Sequence, residues 1–268
     1  MAVIHRFQRK AFFFVALIIL VTTLPTLFVR FPRTCIPEVD DTLTHSTPPP
    51  RIVILSGELC VSTNQNSKCR ILGNLSYHNR REYVAHHQGR YSLRDNFTSH
   101  FEDVISQGVI PAWAKIKILV EELDKDEHDW IFWIDTDALI TNMDIRLEQF
   151  IDNRYSLLIT KDLYFMNAGV FMLKVNDWSR AYMREIQSRM GEGSNEQDWM
   201  IKLLENPNFE EHRHVKYLPQ CSFNSYWNVK KLYEMYRPGD FVVHWAGHNF
   251  DLQSFDDWQA SRFFRLPF

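Results

Sequence analysis

Asp135 and Asp137 stand two residues apart at the end of an apolar run, Asp129-Trp-Ile-Phe-Trp-Ile-Asp135-Thr-Asp137. Two carboxylates at that spacing offer hard oxygen ligands of the kind that hold Mn²⁺ or Mg²⁺ against a diphosphate. The tripeptide alone is a weak signal, and a second copy, Asp124-Lys-Asp126, reads as solvated surface at a helix end. The run before Asp135 sets the first copy apart. Ile131 to Ile134 are β-branched or aromatic, which suits a strand covered on both faces of an α/β sheet. In such sheets ligands bind beyond the carboxyl ends of the strands. A turn or helix cap is the competing reading of the two acids.

Four further groups have side chains suited to a polar ligand. Asn167-Ala-Gly169 opens a strand, and an amide beside a glycine lets backbone approach a polar ligand and offers it a paired donor and acceptor; a simple turn is the alternative. Glu196-Gln197-Asp198 precedes the apolar residues Met200, Ile201, Leu203 and Leu204, so it reads either as the acid-rich start of a helix or as carboxylates and an amide facing a site. His244 ends a late apolar run, where imidazole could reach carboxylates of another strand. Lys115 lies on the helix before the acidic strand and reads, by position alone, as a surface lysine.

The elements that must position these groups alternate. Arg51–Ser56 is a first strand, Tyr77–Arg81 is helical and Glu82–His87 a second strand. Pro111–Leu123 is a helix with apolar residues at 116, 119, 120 and 123, feeding the acidic strand. Tyr155–Thr160 and Gly169–Lys174 are strands, Trp178–Met190 and Gln197–Leu204 helices, and Phe241–Trp245 a late strand. That alternation predicts an α/β fold around a mostly parallel sheet, and residues 51–268 suffice for one domain with a sizeable core.

Residues 11–29 carry no charge and are long enough to cross a bilayer, with Arg6, Arg9 and Lys10 before them and Arg30 and Arg33 after. They predict a signal anchor behind a short cytoplasmic tail, residues 1–10, with a cleaved signal peptide as the alternative. Residues 30–50, rich in Pro, Thr and Asp, read as a stem. The sequons at Asn74 and Asn96 agree with a lumenal body. Among the four cysteines, Cys60 with Cys69 is the favoured pair. Cys35 could link two chains into a homo- or hetero-oligomer, and Cys221 could be a buried thiol. A net charge of −3 gives no reason to expect nucleic acid.

Taken in order, Trp113-x-Lys115, Trp133-Ile-Asp135-Thr-Asp137-Ala, Asn167-Ala-Gly169-Val-Phe, Glu196-Gln197-Asp198-Trp-Met and His244-Trp-Ala-Gly247 resemble the fungal galactosyl/mannosyltransferase family that also includes plant xyloglucan xylosyltransferases. The resemblance runs from about Arg51 to about Gly247. It implies a GT-A fold, a UDP- or GDP-sugar donor, a glycan acceptor, Mn²⁺ dependence (with Mg²⁺ as substitute), retention of anomeric configuration and a Golgi or ER membrane setting. Asp135, Asp137 and His244 then become the metal ligands. Lys115, Asp135, Asn167, Gly169, Gln197, Gly247 and His248 become donor contacts, and Glu196, Gln197 and Asp198 lie beside the anomeric carbon. Plant relatives carry Cys and then Lys where this chain reads Gly247-His248-Asn249, so His248 or Lys115 would have to replace a cation facing the diphosphate. Two rival readings are a phosphohydrolase, disfavoured by Leu139 at the fifth position of the acidic motif, and a membrane-anchored glycan-binding or assembly subunit with the same fold and no turnover.

Overall fold

The computed structural model describes residues 35–36, 48–57, 68–162, 165–193, 195–227, 235–246 and 255–256. The anchor at 11–29, Cys60, Gly247 and His248 lie outside them. Among the described residues no helix is long and apolar enough to cross a membrane.

A six-stranded sheet forms the centre, in the order β2-β1-β3-β6-β5-β7, from β1 (Ile52–Leu55), β2 (Ser92–Arg94), β3 (Trp130–Ile134), β5 (Leu157–Thr160), β6 (Asn167–Lys174) and β7 (Val215–Leu218). Only β6 runs against its neighbours, β3 and β5, so the sheet is mostly parallel, as its sequence pattern predicts. All five residues of β3 are buried. Alternation sends Ile131 and Trp133 into one apolar cluster and Trp130, Phe132 and Ile134 into the other, so both faces are covered. Each such side chain contributes about 1.5–3 kcal/mol of burial.

Helices α2 (Thr98–Ser106), α3 (Ala114–Lys125), α4 (Asp177–Ser188) and α5 (Glu196–Leu204) supply the first cluster. Asn176 and Asn195 cap α4 and α5, their side chains accepting from the N–H groups of Ser179 and Asp198. The second cluster contains Tyr83 of α1 (Lys68–His86) with Phe150, Phe223 and Phe241. The expected strand at Glu82–His87 is instead the end of α1. Its buried positions are Ser76, Arg80 and Tyr83, a helical i, i+4, i+7 face whose two polar members hide the apolar period, leaving Tyr83-Val84 to read as strand.

A second sheet is short but decisive. In it β9 (Val242–His244) pairs antiparallel with β4 (Ala138–Ile140) and parallel with β8 (Ser225–Tyr226). Just before β8, α6 (Glu211–His214) and α7 (Gln220–Phe223) flank β7. Cys35 forms a disulfide with Cys221 of α7, so it is engaged within the chain and not offered to a second one. Cys69 is also disulfide-bonded; Cys60, the partner its sequence position favours, lies outside the described residues.

Candidate active site at the carboxyl end of the central strand

Two registers assemble the site. The end of β3 lies against the start of β6, with Ile134 opposite Val170 and the Asp135 N–H donating to the Gly169 carbonyl at 2.8 Å. After one turn the chain re-enters as β4, where Ala138 faces His244 and the Trp245 N–H donates to the Asp137 carbonyl at 2.9 Å. Residues more than a hundred positions apart are thereby neighbours: Asp137 Oδ1 and His244 Nε2 are 3.2 Å apart. Gly169 makes room for the ring, since a Cβ there would lie 2.5 Å from His244 Cε1.

Asp135 is held differently. Trp133 Nε1 donates to its Oδ1 at 2.6 Å, and Lys115 Nζ lies 3.1 and 3.2 Å from its two carboxylate oxygens. The same ammonium donates to Glu196 Oε1 and to the Ala168 carbonyl, both at 2.9 Å. Lys115 is 5 % exposed, so its reading as a surface lysine fails, and its three protons already face three acceptors. Burial alone would lower its pKa, but Asp135 and Glu196 outweigh that and leave it raised. Lys115 therefore joins the acidic strand to α5 and neutralises two carboxylates.

The two acids of the motif are electrostatically unequal. Burial pushes Asp135 up against the pull of Lys115, and the neighbouring Asp137 charge adds to the rise. Burial acts the same way on Asp137, but His244 and then Lys115 outweigh it and hold that carboxyl below its usual range. Asp135, Asp137 and His244 do not bring three ligand atoms within 4.8 Å of one another, a spacing that Cys35/Cys221/Asp240 and Glu122/Glu127/His128 reach. Neither of those is a ligand set: the first contains the disulfide, and in the second Glu122 is already neutralised by Arg94 and Lys125. Asp124 and Asp126, the second Asp-x-Asp, are exposed and paired with Arg184 and Arg180.

Gln197 accepts from the Ala168 N–H through Oε1 at 2.9 Å, which carries its amide to the start of β6. Asn167 is buried, its Oδ1 accepting from the Gly169 N–H. Asp198 takes the third position of α5, where Asn195 caps its backbone. Trp113 and Trp245 are core residues.

Several residues of the site escape the reading of the sequence. Arg80 of α1 is fully buried; its Nη2 donates to the Asp135 carbonyl at 2.8 Å and to the Ala138 carbonyl, clamping both ends of the acidic turn. Beside it Asn79 exchanges two hydrogen bonds with the Ile140 backbone, 2.8 and 2.9 Å. A lone cation on the buried face of a helix was the available signal for Arg80. Asn224, which stands behind His244, carries none, and Tyr226 beside it stands out only as one of several aromatics late in the chain. A cleft of about 480 Å³ opens next to the turn, lined by Ser56 and Gly57 after β1, by Asn74, Tyr77 and Arg80 of α1, and by Thr136 between the two acids.

A model of nucleotide-diphospho-sugar transferases matches residues 120–254, just over half of the 268 residues and the part that holds the acidic strand, α5 and β9. The chain belongs to that family. Residues 49–155 match the galactosyl transferase GMA12/MNN10 family, as the order of motifs implies. Relatives include the alpha-1,2-galactosyltransferase of Schizosaccharomyces pombe, 22% identical over 75% of this chain and 62% of its own length. Another is the probable alpha-1,6-mannosyltransferase MNN10 of Saccharomyces cerevisiae, 24% identical over 66% of this chain and 55% of its own. The chain spans between 19% and 63% of the length of the curated relatives it matches. Among solved structures, a glycosyltransferase involved in the glycosylation of the major capsid of PBCV-1 superposes with TM-score 0.55 at 17% identity, covering 79% of this chain and all of that one. That match shows the fold, a mixed α/β glycosyltransferase sheet.

Proposed function

We propose that this chain is a divalent-metal-dependent, retaining glycosyltransferase that moves a hexose or pentose (galactose, mannose or xylose) from a UDP- or GDP-sugar to a glycan hydroxyl. The observation that carries the reading is the meeting of Asp137 and His244 at 3.2 Å across two strands, beside Asp135 and next to a cleft at the carboxyl end of β1. The donor set suits a hard to borderline cation: two carboxylates, and an imidazole nitrogen turned toward one of them. Asp135, Asp137 and His244 would hold Mn²⁺ or Mg²⁺. When bound, such an ion supplies Lewis-acid stabilisation of the negative charge that grows on the leaving diphosphate.

The chain's own groups do the rest. The cleft takes the nucleoside, following the rule that ligands of such sheets lie beyond the strand ends. Lys115 compensates Asp135 and Glu196, which lets two acids stand near the reacting sugar without repelling the diphosphate. Gln197 is oriented by the Ala168 N–H so that its amide nitrogen can donate to a sugar hydroxyl. Transfer breaks the bond from the anomeric carbon to the diphosphate and forms one to the acceptor oxygen on the same face; the acceptor's proton passes to the leaving phosphate. Glu196 or Asp198 stabilises the positive charge on the sugar ring. Support for retention comes from the α linkages in the relatives' names, since common UDP- and GDP-hexose donors are themselves α-linked. We further place the body in the lumen of the Golgi or ER behind the anchor at 11–29, a setting that favours disulfides such as Cys35–Cys221.

Donor hydrolysis and thermal shift of the full chain in detergent, across UDP- and GDP-sugars with Mn²⁺ or EDTA, test the proposal. A Mn²⁺-dependent response to one donor, lost in Asp137→Asn, is expected. Silence toward every donor from the folded chain would refute it and favour the non-catalytic subunit.

A further inference from the structure

A chain of hydrogen bonds behind His244 has one consistent arrangement of protons. The Gly169 N–H, a backbone donor, points at Asn167 Oδ1 at 2.9 Å, so that atom is the amide oxygen and Asn167 Nδ2 is what faces the Tyr226 hydroxyl at 3.2 Å. The hydroxyl's own proton goes to Asp162 Oδ2 at 2.7 Å, because a carboxylate accepts. With its proton committed, the Tyr226 oxygen must also accept from Asn224, at 3.0 Å, and Asn224 therefore presents Nδ2 to tyrosine and Oδ1 to histidine. Asn224 Oδ1 lies 2.6 Å from His244 Nδ1, and an amide oxygen at that distance demands a proton on Nδ1. Asn224 and His244 are essentially without solvent, 0 and 2 % exposed, so no water can take over either role.

We propose that Asp162, Tyr226 and Asn224 are positioning residues that lock neutral His244 in its Nδ1–H tautomer, so that the lone pair of Nε2 faces Asp137. This rests on the metal reading for its purpose, but not for its geometry. The arrangement has a chemical consequence. With Nδ1 carrying the only ring proton, Nε2 and the Asp137 oxygen 3.2 Å away are both acceptors, and they are compatible only with a proton or a cation between them. Outer partners of this kind fix the orientation of a metal-ligating imidazole and raise its basicity. Had Asn224 been turned the other way, Nδ1 would be the acceptor, Nε2 would keep its proton, and the site would be closed to a metal. The tautomer choice is therefore made 20 residues away in sequence, and ultimately by Asp162, which lies at the end of a different strand.

Long-range ¹H–¹⁵N correlation of the full chain, labelled on histidine and free of metal, reads the tautomer directly, with His244→Gln used to assign the signal. The expected result, at a pH where the ring is neutral, is a protonated Nδ1 and a bare Nε2. A neutral His244 with its proton on Nε2 overturns the proposal. Tyr226→Phe keeps the ring and removes the acceptor that orients Asn224. It should admit the Nε2–H form and weaken Mn²⁺ binding, followed by electron paramagnetic resonance, by about tenfold or more. An unchanged tautomer and unchanged Mn²⁺ affinity in Tyr226→Phe would remove Tyr226 and Asp162 from the chain of cause. If Mn²⁺ fails to bind the wild-type protein while the Nδ1–H form is observed, the metal reading falls and the tautomer assignment stands.

Discussion

Gly169 is the position where one added carbon should be felt most. A Cβ there would lie 2.5 Å from His244 Cε1, 3.0 Å from Nε2 and 2.9 Å from Asn167 Oδ1. Carbon atoms rest at about 3.5–4.0 Å, so the ring or the start of β6 must give by roughly 1 Å. The ring is not free to do so. It is tied by the 2.6 Å bond to Asn224 and faces Asp137 at 3.2 Å, while β6 is paired on both edges. Overpacking of this kind costs about 1–3 kcal/mol. Breaking the Asn224 bond with both partners buried adds about 1–3 kcal/mol. At about 2–4 °C per kcal/mol for a body of this size, Gly169→Ala should lower the melting temperature by about 4 °C or more. Since Nε2 moves with the ring, Mn²⁺ affinity should fall by about tenfold or more. Calorimetry and Mn²⁺ titration measure the two effects. The same change made in a His244→Ala background should cost less, because the ring it collides with is gone. A melting temperature and Mn²⁺ affinity that do not move, or a cost undiminished without the ring, would refute the close approach of Gly169 and His244.

Arg80 offers a second perturbation at the same turn. Arg80→Met strands the carbonyls of Asp135 and Ala138, and denaturant titration should register a loss of about 3 kcal/mol, with Arg80→Lys recovering part of it; a loss within experimental error would show that the turn holds its own shape. The bond from Cys35 to Cys221 closes a separation of 186 residues, worth about 5 kcal/mol on the chain-entropy model. Replacing both by Ser should therefore lower the melting temperature well beyond any effect at a surface site, and equal melting would count against that pairing. Asp152 is held far below the usual carboxylate range, first by the side-chain bond from Arg154, against the effect of burial, and also by Lys216. A depressed folded pKa means stability that is present above the unfolded value and lost as pH falls through the folded one. The stability gap between wild type and Asp152→Asn should thus be constant from pH 7 down to about 4 and shrink below it. A gap that closes already between pH 7 and 5 would point to another group.

Much of the frame is legible in the chain. β1, β3, β5 and β6 are runs of apolar residues, the acidic motif lies where β3 stops, and α3, α4 and α5 announce themselves by helical period. The elements that escape notice are short or carry polar residues on their buried side. β2 and β4 have three residues each, and α1 hides its register behind Ser76 and Arg80.

The acidic strand, the helix before it and the order of later motifs are local facts, since period, residue type and spacing are written along the chain; they suffice to point to two candidate ligands and to a family. Which atoms meet is decided by pairings between distant segments. The β4–β9 register delivers His244 to Asp137, and the neighbouring β3–β6 register sets Gly169 under the imidazole. Lys115 becomes a buried bridge because α3 and α5 pack on one face of the sheet, and Arg80 a clamp because α1 packs on the other. Proton positions lie deepest of all: the tautomer of His244 depends on which way two amides and one hydroxyl turn, and that follows only from donors and acceptors that distant segments bring together.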